Sequence, residues 1–223
     1  RERWSHVVVA VDNSVAFDDY LIISNRPNHV DLPSPPEALP LKRLVYVGDI
    51  RESRGLSAML RLVQASPDVD LDLVGPCANE KSLYQQIEEL DLAGRVQWHG
   101  RCSYKQSWEI ARHCLAGLSL LSPTPSFQEA IPTKIWEYWA VGLPILATDI
   151  SGQSRVIHEA KGGVVGGHDE LAKVLDIWVH NPKEAQRIGS QGREYFLQTR
   201  TGDEKEISDA VEDAIFAYKV QIQ

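Results

Sequence analysis

The chain is 223 residues long with a formal net charge of -8, which suits one large domain or a domain with an appendage and argues against a nucleic-acid partner or an anionic membrane surface. Its 43% hydrophobic and 24% charged residues are the balance of a soluble globular protein, and no apolar run approaches the ~18–20 residues of a membrane span. Cys77, Cys102 and Cys114 are an odd set without C-x-x-C spacing, so a reducing cytosol with free thiols fits better than a disulfide framework or a zinc site.

The chain opens Arg1-Glu2-Arg3-Trp4, with no Met and no signal peptide, and reads as a fragment of a longer protein. Within residues 1–40, two runs read as strands, 7–11 and 21–24, and 25–40 hold five prolines, the composition of an extended linker. From there, short apolar runs alternate with amphipathic stretches. Residues 44–48 predict a buried strand, and 56–63 a helix with Leu56, Met59, Leu60 and Val63 on one face. Further strands are expected at 71–75, 96–100, 116–121 and 144–148, with helices at about 79–90 and 103–113 and another beginning near Pro132. A short helix at 153–160, a short strand at 163–166 and helices at about 169–180, 182–199 and 203–221 complete the chain.

Strict strand–helix alternation predicts an α/β domain with a doubly wound parallel sheet and right-handed crossovers. Gly48, Gly75, Gly100 and Ser122 mark four strand ends, and ligands bind such sheets beyond those ends. Gly162, Gly163, Gly166 and Gly167 lack the G-x-G-x-x-G spacing and read as turns around a short strand. The six tryptophans are scattered, which suits packing better than base stacking.

The most informative stretch is 127–144. Glu129 falls in a loop, and Pro132 suits the first position of a helix, where a missing N–H costs nothing. At ~100° per residue, Thr133, Lys134, Glu137 and Val141 share one face, with Ile135, Tyr138 and Trp139 on an opposite apolar face. A loop acid, an acid and a cation on a helix flank, and a helix N-terminus suit an anionic, hydroxyl-rich ligand. The helix end favours phosphate, and carboxylates accept hydrogen bonds from sugar hydroxyls. A surface helix with an i,i+3 Lys–Glu pair would explain the two acids alone. It would not explain why Pro132, Lys134, Glu137, Tyr138, Ala140, Gly142 and Pro144 stand in one register.

That register resembles the E-x7-E signature of family-4 retaining glycosyltransferases of the GT-B fold. The resemblance implies that residues 41–223 are the Rossmann-like, nucleotide-sugar-binding C-terminal half of such an enzyme, with a helical C-terminus. Residues 1–40 are then a remnant of the N-terminal domain and its linker. The implied reaction moves a sugar, with retention, from a nucleoside diphosphate sugar to a glycan or lipid-linked acceptor held by the missing N-terminal domain, in polysaccharide biosynthesis. It implies no resident cofactor and no metal, and a cytoplasmic protein that is peripheral to the inner face of the membrane at full length.

Carried over residue by residue, Glu129 reaches the donor sugar and Glu137 the nucleotide ribose. Glu129 and Arg54 are the catalytic candidates, Glu129 steadying sugar hydroxyls rather than acting as a nucleophile. Ala130, Ile131, Pro132, Thr133 and Lys134 frame the donor beside them. In the loop after the first strand, Gly48 matches, and Arg54-Gly55 stands where the family has Lys-Gly. Asp49 or Ile50 occupies the place of the family's first diphosphate-binding cation, and Arg51 is the nearest substitute. Cys102 and Tyr104 are candidates for framing the base after the third strand. A GT-B nucleotide-sugar 2-epimerase and a non-catalytic nucleotide-sugar-binding module are the competing readings. The altered position at Asp49 favours the second of them.

Overall fold

The structure is a computed structural model in which Pro27 and residues 32–199 are described. The strands expected at 7–11 and 21–24 and the helix expected at 203–221 lie outside the described residues.

Six strands form one parallel sheet: β1 (Arg43–Val47), β2 (Asp70–Val74), β3 (Val96–Trp98), β4 (Ala116–Ser119), β5 (Ile145–Ala147) and β6 (Gly163–Val165). Their spatial order is β3-β2-β1-β4-β5-β6, and every pairing is parallel. This is the expected doubly wound α/β sheet. Its order reverses between β1 and β4, the place where such sheets open a crevice for ligands. The helices are α1 (Leu56–Gln64), α2 (Glu80–Glu89), α3 (Tyr104–Ala111), α4 (Thr133–Ala140), α5 (Ser151–Ala160), α6 (His168–His180) and α7 over 182–199.

Strand alternation divides the core in two. Leu44, Tyr46, Leu71, Leu73 and Leu146 meet α1, α2 and α6. Val45, Val74, Ile145 and Ala147 meet α3, α4, α5 and α7. Leu56, Met59, Leu60 and Val63 of α1 are buried as their spacing predicts. Local chemistry starts the helices. The Asn79 side chain accepts from the Ser82 N–H at the head of α2, and Ser103 and Gln106 form a reciprocal capping box on α3.

α5 begins at Ser151, two residues before the expected start. Gly152 discourages a helix in sequence terms, yet a Cβ there would stand 2.4 Å from the Glu129 carbonyl carbon. The glycine is what lets the loop carrying Glu129 lie against the helix. Pro132 also moves by one position: it caps α4, whose first residue is Thr133.

A charged cluster ties the first three strands together. Asp72, on β2, accepts from Arg43 Nε at 2.7 Å and Nη2 at 2.9 Å, and stands 2.7 Å from His99 Nε2. Burial would raise the Asp72 pKa, but hydrogen bonds from Arg43 and His99 outweigh it and hold the carboxyl below its ordinary range. His99, just past the end of β3, is thus a satisfied polar group of the sheet.

The described part of the proline-rich segment is extended but fastened. Arg112 Nη1 donates to the Ser34 carbonyl (2.7 Å), Gln186 Nε2 to the Ala38 carbonyl (3.0 Å), and the Leu41 N–H to the His113 carbonyl (2.8 Å). Leu32 is buried against the same core as α4.

Candidate functional site

At the carboxyl end of β1, beside the reversal of strand order, an open cavity of about 310 Å³ is lined by Tyr46, Val47, Gly48, Asp49, Arg54, Tyr104, Ser107, Trp108, Pro132, Thr133, Lys134 and Glu137. Three short pieces of sequence supply all of these: the end of β1 with its loop, the first turns of α3, and the first turn of α4.

Aromatic anchors fix α4. The Tyr138 hydroxyl accepts from the Val47 N–H (3.0 Å) and donates toward the Val45 carbonyl (3.3 Å), and burial pushes its pKa well up, so it stays a donor. The Trp139 indole N–H donates to the Gly162 carbonyl (2.8 Å), and Trp136 stacks on Tyr195 of α7 with an interplanar angle of 10°. The helix is therefore enclosed almost all round. Val141, placed by its spacing on the ligand-facing flank, is in the core at 1% exposure, and Lys134 on that flank is only 9% exposed. The spacing accounts for one packed face, whereas α4 is covered by the sheet on one side and α7 on another.

Lys134 extends over the Tyr46 ring, with Nζ 3.6 Å from its centroid. Burial, and then the positive charge of Arg54, bring the Lys134 pKa down to about 7. Burial likewise pushes Tyr46 up to about 12, and its hydroxyl donates to the Asp49 carbonyl (2.9 Å). Gly48 closes over this pair with φ +146, a conformation that L side chains rarely adopt, and a Cβ there would stand 3.0 Å from Lys134 Nζ. Burial raises the Glu137 carboxyl above its ordinary range, against a hydrogen bond from Tyr104 and the charge of Lys134. Arg54 lies over the Phe127 ring, 4.9 Å from its centroid, and so touches the loop that leads to Glu129.

Of the residues expected from sequence, Gly48, Arg54, Tyr104, Pro132, Thr133, Lys134 and Glu137 come together in this cavity. Cys102, Glu129, Ala130 and Ile131 do not line it. The Cys102 thiol turns toward the His99 carbonyl at 3.8 Å and packs against the core. Glu129 is exposed in a loop whose neighbour Gln128 accepts from the Gly152 N–H (3.0 Å) and donates to Ser151 Oγ (2.6 Å). Arg51, the nearest substitute for the missing cation, is half exposed and paired at 3.2 Å with Asp49 of the cavity wall, but does not itself line the cavity.

Sequence reasoning missed Tyr46, Ser107 and Trp108. The last two are legible in hindsight, since they lie three and four residues beyond Tyr104 on the same helix face. Tyr46 reads as a strand residue, and only the fold shows its ring as the floor under Lys134. Among the described residues, no three His, Cys, Asp or Glu side chains gather into a group that could hold a metal ion, and no helix is long and apolar enough to cross a membrane.

Compared with known proteins, residues 33–195 match the model of the family described as Glycosyl transferases group 1. The chain belongs to that family. Its match begins in the fastened proline-rich segment and ends in α7, so it takes in the whole sheet and the cavity. A relative in the curated proteins is the lipopolysaccharide core biosynthesis glycosyltransferase LpsD of Rhizobium meliloti, 27% identical over 186 residues, or 82% of this chain and 51% of that protein. The chain spans about half the length, or less, of the curated relatives it matches.

Among solved structures, Anabaena HepE in complex with UDP and glucose superposes with a TM-score of 0.74 at 17% identity, over 94% of this chain and 63% of that one. The C-terminal domain of LpcC, a group 1 family protein from Francisella tularensis, superposes with a TM-score of 0.61 at 15% identity, over 75% of this chain and 95% of that domain. These likenesses establish the fold: a Rossmann-like α/β domain of the GT-B type, corresponding to its C-terminal half.

Proposed function

We propose that this chain is the donor-binding half of a retaining glycosyltransferase, which moves a sugar from a nucleoside diphosphate sugar to a hydroxyl of a glycan or lipid-linked acceptor. The observation that carries this reading is the charge arrangement at the switch-point cavity. Lys134 at the head of α4 and Arg54 on the facing turn bring two cations to an open space, with the half-buried carboxylate of Glu137 beside them. Preorganised positive groups of this kind stabilise charge that develops on a leaving diphosphate. Glu137 would accept from ribose hydroxyls. Glu129, on a loop pinned to α5 through Gln128, would steady hydroxyls of the sugar. The UDP and glucose held by HepE are consistent with such a donor.

Acceptor recognition belongs, in this reading, to an upstream domain. GT-B chemistry needs a closed cleft that excludes water, so these 223 residues alone should bind nucleotide without transferring sugar. A non-catalytic nucleotide-sugar-binding module is the second reading. It is favoured by Asp49, which stands in the cavity wall where the family has a cation.

Calorimetry with UDP, UMP and uridine tests the donor reading. Affinity should fall in that order, and Arg54→Ala should flatten the order. Equal binding of UDP and uridine would rule the donor site out. Sugar transfer by a longer form that includes the upstream domain, and its absence from a form with an intact cleft, separate the enzyme from the module.

A further inference from the structure

Lys134 sits in surroundings that leave its ammonium incomplete. Its side chain is 9% exposed, and its one close polar contact among the described residues is the face of the Tyr46 ring. The groups that face it come from four elements. Tyr46 of β1 has committed its hydroxyl to the Asp49 carbonyl. The Asp49 carboxylate, in the following loop, is paired with Arg51. Arg54 carries the same sign as Lys134 and opposes it. Glu137, on α4 itself, is engaged by Tyr104 of α3. Glu137 and Asp49 attract the ammonium through space, but each makes its close contact with another partner, and Arg54 repels it. A buried ammonium without an acceptor is costly, and an anion entering the cavity would supply the acceptors it lacks.

We propose, resting on the donor reading above, that Lys134 is the residue by which this cavity selects highly charged phosphates, and that capture of the diphosphate draws a proton from solvent onto the Lys134 amine. The empty cavity holds Lys134 divided between amine and ammonium near neutral pH, since burial and Arg54 bring its pKa to about 7. The diphosphate favours the ammonium alone. Binding therefore converts neutral amine plus one solvent proton into ammonium, with no other bond made or broken. The site reads charge twice: Arg54 brings a guanidinium to the cavity, whereas Lys134 becomes fully charged only when the ligand is anionic enough to recruit the proton.

The experiment is calorimetry with UDP and uridine between about pH 7.2 and 8.2, below the range where the uracil imide ionises, in buffers of different ionisation enthalpy. The second ionisation of a terminal phosphate lies at about 6, so across this window the phosphate changes charge little. The parent should lose UDP affinity with rising pH, approaching tenfold per unit, and its heats should reveal proton uptake approaching one per site. Uridine binding should be insensitive to pH. Lys134→Arg, which keeps the charge without titrating, should flatten the UDP profile. Lys134→Met, which removes the buried charge and should fold readily, should bind UDP weakly at all of these pH values. UDP binding by the parent that is constant over the window, with no buffer-dependent heat, would overturn the proton linkage and leave the donor reading standing. A parent that binds UDP no better than uridine would overturn both.

Discussion

Two groups of buried charge lie in this sheet domain, and they are built on opposite plans. In the Arg43–Asp72–His99 cluster, the guanidinium of β1 meets the carboxylate of β2 through two hydrogen bonds, and the imidazole that follows β3 meets it through a third contact. A third Arg43 nitrogen reaches Asp70 at 2.9 Å. In the Arg54–Lys134–Glu137 group, two like charges face an open cavity and the carboxylate is turned to Tyr104. The first group is complete within the chain and fastens strands together. In the second, no close ion pair forms among the described residues, and the partner that would complete it has the chemistry of an anion. Buried charge is costly unless it is paired, so the unpaired group points to function where the paired one points to the frame.

Removing one member of each group should separate these roles. Asp72→Ala should have the largest effect, a loss of about 3 kcal/mol of stability, because it removes the acceptor of two Arg43 nitrogens and of His99 and leaves Arg43 only its contact with Asp70. Chemical unfolding would measure it, and UDP affinity in the folded fraction should be unchanged. The same cluster has a pH signature. The Asp72 pKa is depressed in the folded chain, so its contribution is present above the ordinary carboxylate value of 3.8 and is lost as pH falls through the lower folded value.

Glu137→Ala should do the reverse: little change in the unfolding midpoint, and UDP binding weakened by about 1.5–3 kcal/mol, the scale of a hydrogen bond to a charged group. If Asp72→Ala weakens UDP binding as much as Glu137→Ala does, the division between frame and site is wrong.

Lys134 sharpens the comparison, because its titration moves stability in the same direction as that of Asp72 but over a higher pH range, well clear of the carboxylates. Its folded pKa is about 7 against an ordinary 10.5, so between these values the unfolded chain binds more protons. Stability should therefore rise with pH across that interval, by about 1.4 kcal/mol per unit at most, and Lys134→Met should remove the rise. Unfolding curves of the two chains in the absence of ligand would show it. The smallest effect belongs to Arg51→Ala. Its partner Asp49 is itself 43% exposed, and such surface pairs contribute about 0–1 kcal/mol, so neither stability nor UDP affinity should move appreciably. A large loss of UDP affinity would return Arg51 to the role of the missing cation.

The same contrast explains what was legible in the sequence. The sheet was legible because apolar runs such as 44–48 and 71–75 are short, punctuated by glycine and separated by helical periodicity. The cavity was legible where local spacing carries it, as from Pro132 to Glu137. The Asp72 cluster was not, because a lone acid between Leu71 and Leu73 reads as the outward half of a strand alternation. Its partners stand on two other strands, and their register with β2 is set by the assembled sheet. The enclosure of Lys134 was hidden for a similar reason. Its neighbours Tyr46 and Arg54 are distant in sequence, and α7, which closes the far side of α4, announces itself only as an amphipathic helix.

Trp108 gives this cavity an optical handle. Its ring lies in the cavity wall at 1% exposure, edge-on to Tyr138 at 5.4 Å and to Tyr104 at 6.1 Å, and its indole N–H has no hydrogen-bond partner among the described residues. An indole in such dry surroundings emits toward the blue, and a polar ligand seated beside it changes both its dielectric surroundings and its quenching by neighbouring groups. The difference in emission between the parent and Trp108→Phe would isolate this ring from the other tryptophans. Occupancy could then be followed in a stopped-flow instrument without any label attached to the ligand.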